Sequence, residues 1–366
     1  MKKARIIAFY LPQYHPIRQN DEWWGKGFTE WTNVAKARPL FRGHYQPHIP
    51  ADLGFYDLRL PEVRQAQAEM AKTYGIEGFC YYHYWFAGKR LLERPFNEVL
   101  QSRQPDFPFC LCWANESWSG VWHGAVNRVL IEQTYPGPED EKEHFRFLLK
   151  AFSDERYIKM DGKPLFIVYC PNRLPEPKRV TDHWRKLAIE AGFKDLFLVG
   201  NAFEPWDPAA NGFDGQIVRN LTHTFENLDP QRPYTVRLKR RIFRQPGNIY
   251  DYARVVEYLY MSQCSKENFF PCMVPNWDNT PRAGRRGIVF HNSNPDLFLK
   301  HAEMLVNQVQ HKPVEKRLIF LKSWNEWAEG NHLEPDIKYG HAYLEALHAA
   351  VNWKSQKSSR GLLIAK

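Results

Sequence analysis

The sequence predicts an α/β fold, a single (β/α)8 TIM barrel with long loops over its C-terminal mouth. Short apolar runs alternate with longer amphipathic stretches along all 366 residues, as in repeated strand–helix units. The apolar runs are continuously hydrophobic rather than alternating, which indicates strands buried on both faces and therefore a parallel sheet. A doubly wound open sheet is the alternative.

Eight strands and six helices are predicted. The strands are Ile6–Leu11, Ile76–Tyr82, Phe107–Trp113, Leu165–Tyr169, Leu196–Val199, Phe213–Gln216, Cys272–Val274 and Leu318–Leu321. The helices are Leu60–Tyr74, Asp140–Phe152, Lys178–Ala191, Tyr250–Met261, Pro295–Gln310 and His341–Val351. The first helix shows the usual end signals, because Pro61 lies in its first turn and Gly75 follows its last residue.

No linker or internal repeat divides the chain, so we expect one domain over residues 1–353 and a polar tail over residues 354–366. The segment Pro12–Gly54 is long and irregular, and we expect it to fold over the barrel mouth. A second long excursion runs from Thr222 to Gly247.

The chain is rich in aromatic residues, which make up 15% of it. Aromatic rings bind the C–H faces of sugars by stacking. The net charge is +9, densest over residues 237–244. This basic patch would attract an acidic polymer, a nucleotide or an anionic membrane surface, but a solvated basic loop or helix face is the preferred interpretation. No nucleic-acid-binding module accompanies it, so we expect no nucleic-acid partner and leave peripheral membrane contact open.

Cysteine usage and the N-terminus favour a cytoplasmic protein. The six cysteines have no zinc-type spacing, and several lie in apolar strand-like runs, so we expect them to be reduced and buried. The apolar stretch after Met1 is short and ends at Pro12, which does not match a signal peptide, and no run is long enough to span a membrane.

Polar and aromatic residues are concentrated at the predicted C-terminal ends of the strands. In a (β/α)8 barrel these ends form the active-site face. The strand starts show no such enrichment. We therefore expect one large sugar-binding pocket. Its predicted substrate-binding residues are Tyr10, His15, Trp24, Glu30, Trp31, Tyr82, His83, Trp85, Trp113, Asn115, Glu116, Trp118, Tyr169, Glu204, Asn276, Trp277, Trp324 and Asn325.

The stretch Ser323–Gly330 follows the eighth predicted strand and holds two carboxylates three residues apart, Glu326 and Glu329, among tryptophans. Enzymes that break or form glycosidic bonds use a pair of carboxyl groups, here among aromatic residues. We therefore predict that these two glutamates are catalytic. Residues three apart share a face on a helix or turn but not on a strand, so the chain must leave the strand by Glu326. The simpler alternative is a helix start with exposed acids.

Several of the predicted residues have structural alternatives. His83 between tyrosines is more typical of a hydrogen-bonded structural histidine. Glu116 is as readily paired with a nearby arginine, and Glu204 precedes a proline and suits a turn. The histidines are dispersed along the chain, so we expect no metal site, and no cofactor is expected.

The whole chain resembles the WbsX-like proteins of bacterial surface-polysaccharide gene clusters, which are labelled as glycosyltransferases or lipopolysaccharide biosynthesis proteins. These proteins are related to glycoside hydrolase family 99, the endo-α-mannosidases and endo-α-mannanases. The segments that carry the resemblance are Ala8–Pro16, Glu22–Gly25, Phe28–Trp31, Gly78–Phe86, Cys112–Glu116 and Trp324–Gly330.

The resemblance implies a (β/α)8 barrel and retention of anomeric configuration. By the same resemblance, Glu326 would assist attack of the substrate's own 2-hydroxyl on the anomeric carbon, and Glu329 would act as general acid and then base. Glu329 needs a raised pKa for the acid step. Ala328 departs from the hydrolase motif, which has His at this position, and puts the identity of the sugar in doubt.

Three functions follow in order of preference. The first is a retaining endo-type glycosidase or transglycosidase on an α-linked bacterial surface polysaccharide. The second is a glycosyltransferase of lipopolysaccharide or O-antigen biosynthesis, although the chain has no Asp-x-Asp motif and no glycine-rich strand–helix turn. The third is a non-catalytic glycan-binding barrel.

Overall fold

The structure is a computed structural model and describes residues 3–120, 129–202, 206–218, 228 and 248–352. The predicted residues Glu204, Thr222–Gly247 and the tail 354–366 therefore lie outside the described residues, apart from Leu228.

Eight parallel strands form a closed barrel. They are β1 (Arg5–Tyr10), β2 (Gly78–Phe86), β3 (Phe109–Trp113), β4 (Lys163–Val168), β5 (Phe197–Ala202), β6 (Gly215–Val218), β7 (Phe269–Met273) and β8 (Leu318–Leu321). Each strand pairs with the next, and β1 pairs with both β2 and β8. At the closure, Ile7 is in register with Gly78 on one side and with Phe320 on the other. The predicted (β/α)8 fold is confirmed, and the open-sheet alternative is wrong.

Ten helices are described. They are α1 (Arg18–Trp24), α2 (Glu30–Lys36), α3 (Pro61–Thr73), α4 (Arg94–Ser102), α5 (Pro138–Phe152), α6 (Pro177–Glu190), α7 (Tyr252–Leu259), α8 (Thr280–Ala283), α9 (Pro295–Val309) and α10 (Ala342–Asn352). The six predicted helices correspond to α3, α5, α6, α7, α9 and α10. Four of these six begin with proline in the first turn, where no N–H is needed for the helix. Helices α1, α2, α4 and α8 were not predicted, and residues 206–214, between β5 and β6, contain no helix.

Short strands and 3-10 turns complete the described structure. The short strands are Lys89–Leu91, Trp118–Ser119, Val129–Ile131, Lys159–Met160, Asn248–Asp251, Ile288–His291, Asn325–Glu326 and Asn331–His332. The 3-10 turns are Pro171–Arg173, Ser262–Ser265, Gly284–Arg286, Val314–Lys316 and Trp327–Glu329. All six cysteines are free and buried. No helix in the described part of the chain has both the length and the apolar character needed to cross a membrane.

The long segment between β1 and α3 packs against the loop that follows β8. The backbone N–H of Ala51 donates to the Pro335 carbonyl (2.9 Å), and the N–H of Ile337 donates to the Ile49 carbonyl (2.9 Å). The Trp31 ring on α2 lies 5.6 Å from the Trp327 ring, centroid to centroid. The first and last strands therefore supply loops that meet at the C-terminal mouth of the barrel.

Candidate active site

The loop after β8, residues 322–334, folds into a small hairpin that we call the β8 loop. Asn325–Glu326 pairs antiparallel with Asn331–His332, and the 3-10 turn Trp327–Glu329 joins the two arms. Gly330 ends the turn at φ +57°, a left-handed conformation that glycine adopts without steric cost. The chain has therefore left the strand before Glu326, as the spacing of the two carboxylates requires.

Two residues of the first-strand loop fix the hairpin. The side-chain amide of Asn325 accepts from the Leu11 N–H (2.8 Å) and donates to the Leu11 carbonyl (3.0 Å). The Tyr14 hydroxyl donates to the Asn325 carbonyl and accepts from the Trp327 N–H (3.1 Å). All four residues are buried, so these bonds compete with no water.

The buried carboxyl group of Glu334 connects the β8 loop to the rest of the barrel. It accepts from the Trp327 indole N–H (2.6 Å), the Tyr56 hydroxyl (2.8 Å) and the Gln67 amide (2.6 Å). Tyr10, a predicted substrate-binding residue, donates its hydroxyl to Gln67 (2.6 Å) and so belongs to this bracing network. Burial raises the pKa of Glu334 to about 7, although these donors oppose the shift.

Glu326 and Glu329 lie side by side at the barrel mouth. Both are buried, with 4% and 6% of their surfaces exposed, and their carboxyl groups interact directly beside the shared Lys322 ammonium. Burial raises the pKa of Glu326 to about 8, and the charge of Glu329 adds to the increase against the opposing charge of Lys322. The pair therefore retains one proton at neutral pH.

Two cations and a third carboxylate surround the pair. The Lys322 ammonium lies 3.4 Å from Glu326 Oε2 and 3.8 Å from Glu329 Oε2. The Arg282 guanidinium, on α8, donates to Glu329 Oε1 (2.6 Å) and binds Glu30 Oε2 through Nε (3.1 Å) and Nη2 (2.9 Å). Burial raises the pKa of Glu30 against the opposing charge of Arg282.

The charges of this cluster balance when one proton is present. Three carboxyl groups (Glu30, Glu326, Glu329) and two cations (Lys322, Arg282) leave one negative charge, which a single proton neutralises. A buried cluster with net charge is costly, so the retained proton is expected from the charge count as well as from the raised pKa of Glu326.

The structure brings part of the predicted substrate-binding set around this pair. Glu30 contacts Arg282, Trp31 packs on Trp327, and the Trp277 ring lies 4.8 Å from the Lys322 ammonium. Tyr82 stacks on Phe9 (5.4 Å) and meets Tyr169 edge-on (5.9 Å).

Other predicted residues do not face the carboxyl pair. Along β2 the side chains alternate, so His83 and Trp85 point out of the barrel while Tyr82 and Tyr84 point in. His83 Nε2 lies 2.9 Å from His144 Nε2 on α5, and the Trp85 indole N–H donates to Asp140 (3.1 Å).

The outward group also includes Trp113, whose indole N–H donates to the Trp85 carbonyl (3.2 Å) and whose ring packs edge-on against Trp184. These side chains fill the layer between the barrel and the helices. They are aromatic because they belong to the hydrophobic core, and they do not line the barrel mouth.

The remaining predicted residues have local partners at the mouth. The Asn115 amide donates to the Cys170 carbonyl (2.9 Å) and accepts from its N–H (2.8 Å), joining the ends of β3 and β4. Glu116 forms an ion pair with Arg173 (3.2 Å), as its structural alternative predicted. His15 is buried, its ring nitrogen Nδ1 lies 3.0 Å from the Pro12 carbonyl, and burial lowers its pKa to about 4.

Two tryptophans of the predicted set pack within the loops. Trp118 meets Tyr84 edge-on (5.0 Å) and Trp23 at 5.9 Å, and Trp24 packs on Phe28 (6.0 Å).

Sequence reasoning missed Arg282, Lys322, Tyr84 and Asp278. The negative charge of Glu326 is among the causes that raise the pKa of Tyr84, after burial. The backbone N–H of Asp278 donates to the Glu329 carbonyl (2.6 Å), which fixes the turn. Lys322 directly precedes the motif and Asp278 follows Trp277, so position at a strand end would have found both. Arg282 lies beyond the end of β7 on a short helix, and no sequence pattern marked it as a site residue.

An open cavity of about 240 Å³ lies beside the β8 loop. Its lining includes His44, His48, Asn276, Asp278 and Tyr339. Asn276 Oδ1 and the neighbouring Trp277 Nε1 are buried and have no hydrogen-bond partner among the described residues. Such unpaired groups are satisfied by water or by a ligand hydroxyl.

Comparison with solved structures relates the barrel to glycoside hydrolases. A glycoside hydrolase-like protein aligns with a TM-score of 0.60 over 95% of this chain and 94% of its own, at 14% identity. The family 99 endo-α-mannosidase of Bacteroides thetaiotaomicron aligns with a TM-score of 0.57 over 95% and 96%, also at 14% identity. At this identity the likeness concerns the fold.

Sequence comparison assigns the family. Two proteins from strains of Xanthomonas campestris pv. campestris, each described as uncharacterized protein WxcX, are 38% identical over 357 residues. The match covers 95% of this chain and 50% of each relative, so the chain spans about half the length of these relatives. Residues 6–347 match the family model described as Glycosyltransferase WbsX. The chain therefore belongs to the WbsX glycosyltransferase family.

Proposed function

We propose that this protein is a retaining glycosidase or transglycosidase that acts on an α-linked bacterial surface polysaccharide. The observation that carries the proposal is the pair of contacting, buried carboxyl groups, Glu326 and Glu329, on one turn at the barrel mouth. A shared proton between two carboxyls supplies both an acid and a base, which are the groups that glycosidic-bond cleavage uses.

The closeness of the carboxyls favours participation of the substrate's own 2-hydroxyl. A retaining enzyme with its own carboxylate nucleophile holds its two carboxyls about 5–5.5 Å apart on opposite sides of the bond, and an inverting enzyme about 6.5–9.5 Å apart. Glu326 and Glu329 are in contact on one turn, so they approach a sugar from the same side. A nucleophile from the substrate itself removes the need for a carboxylate on the opposite side.

In this mechanism Glu326 takes the proton of the 2-hydroxyl while that oxygen attacks the anomeric carbon. Glu329 gives its proton to the leaving oxygen as the glycosidic bond breaks, and a 1,2-anhydro sugar forms. Water or an acceptor hydroxyl then attacks the anomeric carbon and gives its proton to Glu329, while the bond between the anomeric carbon and the 2-oxygen breaks and Glu326 returns its proton to that oxygen. In the ligand-free protein the proton resides on Glu326, whose pKa is the raised one, while Arg282 stabilises Glu329 as the anion. Our assignment therefore requires that the proton pass from Glu326 to Glu329 when the substrate binds.

The surroundings suit a sugar. Trp277 and Trp31 provide rings near the pair, and the unpaired Asn276 Oδ1 and Trp277 Nε1 can bond to hydroxyl groups. Ala328 is fully buried and offers no polar group to the substrate, so any contact that a larger polar residue makes at this position is missing here. We infer an α-mannoside-like substrate with a changed contact at one sugar, in line with the endo-α-mannosidase named among the structural neighbours.

A second candidate is a glycosyltransferase of lipopolysaccharide or O-antigen synthesis, which the description of the family favours. The same carboxyl pair would then activate an acceptor hydroxyl toward an activated donor. A non-catalytic glycan-binding barrel is the third, and the proton-sharing pair argues against it because binding alone does not require one. We further propose a cytoplasmic protein without a nucleic-acid partner, which the six buried free cysteines support for the compartment.

The test compares two substrate classes and two variants. The protein is incubated with α-mannan and O-antigen fragments, and separately with nucleotide sugars plus acceptors, and products are followed by mass spectrometry. We expect cleavage or transglycosylation of the fragments, lost in both Glu326→Gln and Glu329→Gln. Turnover only with nucleotide sugars would instead support the transferase, and binding without turnover in either arm would support the third candidate.

An activated aryl α-glycoside separates the two roles. A good leaving group needs no proton, so Glu329→Gln should retain much of its rate on the aryl substrate and lose about 10²- to 10⁴-fold on the natural linkage. Glu326→Gln should lose activity on both. The reverse pattern would exchange the two assignments and leave the glycosidase proposal standing.

A further inference from the structure

Two buried histidines and a buried aspartate meet beside the β8 loop. His48 comes from the segment between β1 and α3, and His332 and Asp336 come from the β8 loop and the residues just after it. We call them the His48 cluster. One ligand atom from each residue lies within 4.8 Å of the others, and all three residues are buried.

His332 is oriented as a ligand. Its Nδ1 lies 2.9 Å from the Glu334 carbonyl, so Nδ1–H is the donor and the lone pair is on Nε2. Metal-binding histidines commonly donate their other ring N–H to a backbone carbonyl in this way. The ring is also fixed by stacking on Trp327 at 3.7 Å, centroid to centroid.

His48 faces that lone pair. Its Nδ1 lies 2.9 Å from His332 Nε2, and its ring stacks on Tyr45 at 4.3 Å. With metal–nitrogen bonds of about 2.0–2.1 Å, two nitrogens 2.9 Å apart subtend about 90° at the ion. This is the angle between adjacent ligands of an octahedral or square-pyramidal ion.

Asp336 supplies the negative charge. The backbone N–H groups of Lys338 (2.9 Å) and Tyr339 (2.7 Å) donate to its Oδ1. From a separation of at most 4.8 Å, an inward movement of at most about 2 Å brings the carboxylate to an adjacent coordination position.

We propose that His48, His332 and Asp336 bind one divalent transition-metal ion of the Zn²⁺ or Co²⁺ class. Two imidazoles and one carboxylate on adjacent positions are a donor set for such ions and leave further positions for water. The cavity of about 240 Å³ beside the β8 loop is lined in part by His48 and opens to solvent, which gives an ion an entry path.

The ion joins the first-strand segment to the β8 loop without touching the carboxyl pair. In the hairpin, His332 lies opposite Asn325, whereas Glu326 lies opposite Asn331, so the cluster and Glu326 are on different faces. The metal would therefore act as a clamp on the loop that carries Glu326 and Glu329. The proposal does not depend on the reaction that the protein catalyses.

Metal content and a cobalt spectrum test the site. The purified full chain is stripped with chelator, reconstituted with Zn²⁺ or Co²⁺, desalted and analysed by elemental mass spectrometry and visible absorption. We expect about one equivalent per chain and ligand-field bands of five- or six-coordinate Co²⁺. The variants are His48→Gln and Asp336→Asn, and the control is His301→Gln, a buried histidine that accepts from the Val274 N–H and is not a member of the cluster.

The two variants should fall below about a tenth of an equivalent, and the control should match the wild type. Circular dichroism identifies any variant that fails to fold. Wild-type protein that takes up neither ion overturns the proposal whatever the variants do. Equal uptake by wild type and both folded variants overturns it too, because the ion is then elsewhere, and the His48–His332 contact is then a simple hydrogen bond.

Discussion

Arg282 offers the sharpest test of the charge cluster at the barrel mouth. Its guanidinium holds two buried carboxylates, Glu30 and Glu329, with four-fifths or more of each side chain out of solvent. The variant Arg282→Met keeps most of the side-chain length and removes the charge and every donor. Breaking a buried ion pair by removing one partner costs about 3–5 kcal/mol, because the remaining charge is left without compensation.

This loss of free energy of unfolding corresponds to a measurable shift in melting temperature. At about 2.1 cal/mol/K per residue, a chain of 366 residues has an unfolding entropy of about 0.77 kcal/mol/K. A loss of 3–5 kcal/mol therefore lowers Tm by about 4–6 °C. The matched control is Arg18→Met, since Arg18 pairs with Glu22 at the surface, where removal costs less than about 1 kcal/mol.

The pH dependence of the loss is the decisive part. Burial raises the pKa of Glu30 and the charge of Arg282 opposes that shift, so without Arg282 the folded-state pKa of Glu30 should rise further above its unfolded value. A raised folded pKa contributes stability that is present at low pH and lost as pH rises, so the deficit should be small at pH 5 and full at pH 8. Urea unfolding followed by circular dichroism at both pH values measures it. A deficit below about 1 kcal/mol at pH 8, or an equal deficit at both, would refute the reasoning.

Three further substitutions test the β8 loop and its contacts. Burial raises the pKa of Glu326 from 4.5 to about 8, so its contribution to stability is lost as pH rises through that window. Glu326→Gln should flatten the fall in unfolding free energy between pH 5 and 8 by up to about 1.4 kcal/mol per pH unit, and an unchanged slope would contradict this. Gly330→Ala places a Cβ 2.9 Å from the Asp278 Cβ at φ +57°, and should cost about 2–3 kcal/mol, against about 1 kcal/mol for Gly54→Ala at φ +60° with open space around it. Tyr14→Phe removes a buried hydroxyl with two hydrogen-bond partners and should lower the free energy of unfolding by about 1–3 kcal/mol, measured by thermal or urea unfolding. An unchanged free energy of unfolding would show that the Tyr14 hydroxyl does not fix the hairpin.

The barrel was predictable because its strands are buried on both faces. Most strands then appear as continuous apolar runs, and each of the eight predicted strands overlaps a barrel strand. The sixth is the exception, because Phe213–Gln216 contains Asp214 and overlaps β6 by only two residues. The boundaries moved where aromatic residues continue a strand beyond the aliphatic run, as in β2, which extends to Phe86. Helix α4 was missed because it is short and begins in the polar stretch Glu93–Arg94.

The candidate site was predictable only in outline. Position at a strand end located the carboxyl pair, but it does not report which side of a strand a residue faces. His83 and Trp85 therefore entered the prediction although their neighbour Tyr84 is the one near Glu326. Arg282 and Glu30 meet across 252 positions of sequence, and such a long-range ion pair leaves no local pattern. The same limit applies to His48 and His332, whose contact also joins residues far apart in sequence.

The two faces of the β8 hairpin suggest separate roles, one in stability and one in catalysis. On one face Asn325 and His332 lie opposite each other and bind the first-strand segment, through Leu11 and His48 respectively. On the other face Glu326 forms the proton-sharing pair with Glu329. Substitution on the first face should therefore lower stability and activity together, because the carboxyls lose their position. Substitution of Glu326 should abolish activity and leave stability at neutral pH equal or higher, because a buried acid with a raised pKa is no longer forced toward ionisation.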